Sequence, residues 1–112
     1  MTARTETRLW LAQRGSAAVL ALCVAVHLAT LIYAVRGGLS AAEILSRTRG
    51  SAAWLGFYLL FVAAVTVHAP IGLRTVLREM TAWRGRSLDL TMLLFGVLLA
   101  ALGLRAALAV FA

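Results

Sequence analysis

The stretch GSAAWLGFYLLFVAAVTVHAPIGL, residues 50–73, runs for 24 positions without a charged side chain. A bilayer core about 30 Å thick is crossed by roughly 20 mostly apolar residues in a helix, so this segment has the length and composition of a span. Two other stretches repeat the pattern. Gly15 to Val35 is 21 residues without a charge, and Leu90 to Leu104 is 15, after which the apolar character resumes past Arg105 and continues to Ala112. Arg105 lies near a helix end, where a long stem can carry its guanidinium back to the headgroups. The third run is therefore a span as well. The sequence predicts an all-α membrane protein, one domain over residues 1–112 with helices at about 15–35, 50–73 and 88–111.

Composition supports this reading and excludes others. The chain is 62% hydrophobic and only 13% charged, with a mean hydropathy of +0.93. Soluble domains are about 45–50% apolar and about 25% charged, and disordered chains combine low hydrophobicity with high charge. All 11 positive charges are Arg, giving a net charge of +7 against four acids. In a soluble protein that balance would suggest nucleic acid. Here the arginines lie between apolar runs and fix orientation in a bilayer instead. The single cysteine, Cys23, allows no internal disulfide, and no C-x-x-C-H is present for covalent haem attachment. A cleaved signal is disfavoured because signal cores run about 7–15 residues, whereas the first apolar run is longer and contains His27.

Three spans put the termini on opposite sides, and the arginines choose which. The N-terminal tail and second loop carry Arg4, Arg8, Arg14, Arg74, Arg78, Arg84 and Arg86, against Arg36, Arg47, Arg49 and Arg105 on the other side. The excess places the N-terminus in the cytoplasm. Trp10 and Trp83 then fall at the inner interface, Tyr33 and Trp54 near the outer one. Between the first two spans Gly37-Gly38 breaks the chain, and Ser40 with Glu43 matches a capping box, which predicts a short interfacial helix.

No carboxylate or Lys lies inside a span, so His27, His68 and Pro70 are the exceptional residues there. An intramembrane histidine is either a neutral ring bonded to a neighbouring helix or a functional group. His68 has more around it than His27. Pro70 cannot donate to the Thr66 carbonyl and loosens the helix within a turn. Gly72 is four residues on, leaving room on the same face for a flat group or a close helix. Arg74 and Arg78 follow at the interface, as topology requires and as carboxylate binding would also use.

The segment from His68 through Gly72 and Arg74 to Glu79 resembles the second transmembrane helix of the small cytochrome b membrane-anchor subunits of succinate dehydrogenase and fumarate reductase. Gln13-Arg14-Gly15-Ser16 resembles the entry to helix one in that family. The resemblance covers length, three helices, N-terminus inside and a periplasmic first loop. It implies a bacterial inner-membrane protein within a multi-subunit helical bundle, with haem b as cofactor and quinone as substrate. Its partners would be iron-sulfur and flavoprotein subunits and a second anchor chain, identical or different. By the same resemblance His68 is an axial haem ligand, with His27 the candidate for a second haem. Arg14, Ser16, Gly72 and Arg74 would then lie around the haem propionates, and Trp10, Arg14 and Glu79 around quinone. Two positions depart from the family pattern: Glu79 is followed by Met80 rather than Tyr, and Trp10 replaces a Ser.

Helix arithmetic places His27 roughly 18 Å and His68 roughly 7.5 Å from the cytoplasmic ends of their spans. Modest tilt does not absorb that difference, so the two should not clamp one haem, and a second ligand must come from another polypeptide. Fe–S ligation and dinucleotide binding have no motif here, which leaves dicarboxylate chemistry to partners. Two other functions compete: a small multidrug-type transporter, which would want a carboxylate inside the membrane, and a haem-free anchor of another oxidoreductase.

Overall fold

A computed structural model describes residues 2–112 as four helices: α1 Ala3–Gly37, α2 Ala41–Thr48, α3 Ala52–Met80 and α4 Arg86–Phe111. Three of them, α1, α3 and α4, are long and apolar enough to cross a membrane. Against the predicted spans, α1 starts twelve residues earlier, α3 starts two residues later than Gly50 and runs seven past Leu73, and α4 starts two residues before Leu88. α1 begins at Ala3, so Arg4, Arg8 and Arg14 ride on a helix that projects past the apolar run. The Thr2 side chain caps it by accepting from the Thr5 amide, and Glu6 adds a negative charge in the first turn, where the helix dipole favours one.

The expected interfacial helix is α2. Ser40 accepts from the Glu43 amide while the Glu43 carboxylate accepts from the Ser40 amide, so both halves of the capping box are made. Those bonds from Ser40 hold the Glu43 carboxyl below its ordinary pKa, with help from Arg47. The turn into α2 passes through Gly38 at a φ of 122°, a conformation that side chains with a Cβ rarely adopt.

α3 is the central element, packed against both α1 and α4, which hardly touch each other. Small residues set the α3–α4 distance. A methyl on Gly103 would stand 2.7 Å from Val62 Cγ1, and one on Gly96 would stand 3.3 Å from Pro70 Cγ. Pro70 sits inside α3 without ending it, its ring seated on Gly96, and the Thr66 carbonyl that lacks the usual donor lies along the same contact. At the far end α2 and the following turn close off α4. Thr48 Oγ1 donates to the Val110 carbonyl at 2.7 Å, the Gly50 amide to Phe111 at 2.8 Å and Arg49 Nε to Ala112 at 2.8 Å. These are the last carbonyls of a helix, which have no partner inside it.

The interior is small. Among the large side chains of the described residues only Leu88 is fully buried, with Cys23, Ala34, Ala64, Met92 and Ala107 also inside. Leucines, valines and aromatics cover the outside, as at Leu22, 72% exposed, because lipid tails and neighbouring helices are as apolar as a protein core. The long dimension, 49 Å, spans a bilayer with its headgroup layers.

Candidate functional site

At the arginine-rich end, α1 and α3 meet in two successive rungs. His68 and Gly72 are one turn apart on α3, and Ser16 and Gln13 one turn apart on α1. In the first rung Ser16 Oγ lies 3.5 Å from His68 Nδ1 and donates to the Gln13 carbonyl at 3.1 Å. In the second, a methyl on Gly72 would stand 3.0 Å from Gln13 Nε2. Of the two uses the sequence left open for Gly72, the structure makes the close helix contact. Ser16 is itself buried, at 9% exposure.

His68 Nε2 has no bond to any described residue, and it is not among the polar atoms sealed without a partner. One nitrogen of the ring is tied to the helix partner and the other is open. That is how a histidine ligand is held when its outer nitrogen serves an electrophile. None of the cavities described here is lined by His68. The residue is half-buried.

Nearly two turns beyond His68 along α3 is a network of charges. Arg74 Nε donates to Asp89 Oδ1 at 2.8 Å and Arg74 Nη2 to Glu6 Oε1 at 3.5 Å, while Arg78 Nη1 reaches the same Glu6 oxygen at 3.4 Å. The Arg74 side chain is 11% exposed, and its guanidinium joins α1, α3 and α4. Sequence reasoning placed Arg74 beside a ligand carboxylate but missed Asp89 and Glu6 as its acids. The signal for Glu6 was faint, since it lies 68 positions away in the chain.

Trp10, Gln13, Gly72 and Arg74 line one cavity of about 560 Å³ together with Glu6. Arg14 lies outside it, its guanidinium carbon 5.1 Å from the centre of the Trp10 ring. The structure thus brings together Trp10, Arg14, Gly72 and Arg74, with Ser16 a turn deeper. Glu79 is exposed, lines no described cavity and stands apart from that group.

His27 sits elsewhere. Its ring meets the edges of Tyr58 and Phe61, with centroids 6.2 and 5.6 Å away, and its Nδ1 is buried with no partner. Ser16 shares a level with His68, and His27 is eleven residues further along α1, about 16 Å by helix rise. The two rings lie at different depths, as the sequence arithmetic requires. The transporter reading meets its own obstacle: Glu6, Glu43, Glu79 and Asp89 all sit at helix ends or in the loop helix.

A description of succinate dehydrogenase/fumarate reductase transmembrane subunits matches residues 1–104. The chain belongs to that family. It is a multi-pass membrane subunit whose relatives by family associate with the catalytic subunits of those complexes in a membrane. No curated protein matches it individually, and no solved structure does. The match covers all three long helices, ending within two turns of the end of α4.

Proposed function

We propose that this transmembrane subunit binds haem b through His68 Nε2 and carries electrons between an iron-sulfur partner and membrane quinone. The observation that supports it is the state of the His68 ring, tied at Nδ1 to Ser16 and open at Nε2, at the end of the bundle where the arginines gather. Haem b, when bound, supplies a one-electron centre between its partners. What this chain supplies is one axial nitrogen, a tight α1–α3 contact that keeps the ring from turning, and cationic groups for carboxylates. Arg14 is exposed beyond Trp10 and reaches outward toward propionates. Arg74 already shares its charge with Glu6 and Asp89, so it holds the three helix ends together beside the cavity that Trp10 lines, where a quinone head would enter. Glu79, exposed near the same end of α3, stands apart from that cavity, so its part in quinone binding rests on the family resemblance alone.

A second nitrogen for the haem would have to come from another chain, because His27 lies at too different a depth to share one group with His68. The open face of His68 is the side on which that second anchor, identical or different, would pack. The N-terminus is cytoplasmic, which puts the arginine-rich end toward the iron-sulfur and flavoprotein subunits in a bacterial inner membrane. Replacing His68 by Ala tests the reading directly. A low-spin b-type spectrum of the assembled complex should disappear or convert to a five-coordinate form. An unchanged spectrum and haem content would end the proposal.

A further inference from the structure

Ser16 does more than fill the contact between α1 and α3. Its hydroxyl has one proton to give, and two neighbours compete for it. The Gln13 carbonyl can only accept, and it lies 3.1 Å away. His68 Nδ1 lies 3.5 Å away and can donate or accept according to tautomer. Because the shorter contact goes to the group that has no proton of its own, the Ser16 proton belongs to Gln13. A lone pair then remains to face His68, and Nδ1 must carry the hydrogen to use it.

We infer that Ser16 is the positioning residue that selects the His68 tautomer: Nδ1–H donates to Ser16 Oγ, Ser16 O–H donates to the Gln13 carbonyl, and Nε2 keeps a free lone pair. This rests on the haem reading for its use, although the tautomer itself does not. A ligating histidine gains basicity when its other N–H has an acceptor, and loss of such an acceptor commonly weakens metal binding by about 10–100-fold. At 3.5 Å the bond is at its outer limit. A metal held at Nε2 would make Nδ1–H more acidic and so strengthen its bond to Ser16 Oγ. His27 provides the contrast, since its Nδ1 is buried with no hydrogen-bond partner.

The two rungs explain how the alignment is kept. Gln13 fits against Gly72, which has no side chain to push α1 away, and the Gln13 carbonyl in turn anchors Ser16. A displacement of α1 by one residue would rotate Ser16 off the ring by about 100°.

The test begins with the full chain in lipid nanodiscs, with ¹⁵N-labelled histidine and no haem. His68 should show Nδ1 protonated and Nε2 bare. Ser16→Ala should give a mixture of the two tautomers, and Ser16→Thr, which retains a hydroxyl, should restore the single form. In the haem-loaded complex Ser16→Ala should retain a b-type spectrum, lose haem about tenfold more readily, and show a raised reduction potential, because a less basic imidazole favours ferrous iron. Ser16→Thr should return both values toward the parent. A His68 ring protonated at Nε2 in the parent chain, or a tautomer indifferent to Ser16→Ala, would overturn the inference. The expected tautomers in a complex that never takes up haem would uphold the Ser16 assignment and defeat the haem reading instead.

Discussion

The surroundings of His68 and His27 differ in one respect that matters for chemistry. Both are single histidines in apolar helices, both are partly buried, and each has a nitrogen that no described residue engages. His68, however, has a hydroxyl from α1 at Nδ1 and a charged network nearly two turns away along α3. His27 has aromatic edges, an enclosed Nδ1 without an acceptor, and a cavity of about 640 Å³ beside it that also carries Tyr58 and Arg47. The comparison teaches that an intramembrane histidine becomes a credible ligand through the group that orients it. Polarity in a hydrophobic span is not enough.

The largest effect should separate the two directly. His68→Ala should abolish the six-coordinate b-type haem of the complex, while His27→Ala should leave its spectrum in place. A spectrum lost equally with His27→Ala would break the comparison and bring back a second haem at the deeper site. Quantitative haem analysis of the purified complex reads this without reference to turnover.

Next come the helix contacts at the two ends. Gly103→Ala drives a methyl into Val62 and should lower stability by about 1–3 kcal/mol. Gly72→Ala meets only the flexible end of Gln13, so its global cost should be smaller. It should nevertheless disturb the His68 tautomer, because Gln13 holds Ser16. Thermal unfolding in detergent paired with histidine ¹⁵N shifts would show stability and site order moving independently.

Removing Arg74 should be felt at the His68 end alone. Arg74→Leu leaves Asp89 and Glu6 without their shared guanidinium and should cost about 2 kcal/mol, the loss of charged hydrogen bonds from a mostly buried donor. Asp89 and Glu6 are partly exposed and recover some hydration, which keeps the figure below that for a sealed pair. Amide exchange should quicken at the arginine-rich ends of α1, α3 and α4 and stay unchanged around Thr48. Equal loosening at both ends would show that the network is not local.

The smallest effect is a pH response at the opposite end. The Glu43 carboxyl is held below its ordinary pKa by Ser40, so it binds fewer protons in the folded chain than in the unfolded one. Its contribution is therefore present above the unfolded carboxylate pKa of about 4.3 and is lost as pH falls through the lowered value. Exchange at the α2 amides should accelerate below about pH 4, with the His68 region unaffected. Glu43→Gln should remove the dependence.

Much of the architecture was legible beforehand. Charge-free runs of 24 and 21 residues admit few places outside a bilayer, and Ser40 with Glu43 specified a helix start that the backbone makes. The extensions of α1 and α3 were harder to read, because arginines mark the end of an apolar run without ending a helix. The site was legible only in outline. His68, Gly72, Arg14 and Arg74 stood out by type and spacing and Gln13 and Ser16 as part of the helix-one entry, while Glu6 and Asp89 had no local pattern to set them apart.

The sequence by itself determined that three helices cross a membrane and that one of them carries a histidine with a glycine one turn beyond it, because length, hydropathy and helical period are properties of neighbouring residues. Only the tertiary structure decided that Ser16 meets His68, that Gly72 admits Gln13, and that Arg74 joins Glu6 to Asp89. Those pairings depend on the axial stagger of antiparallel helices, joining residues 15 to 68 positions apart in the chain, and on which small residues let the backbones come close. Stagger is set by packing over whole helix faces, so no short stretch of sequence contains it.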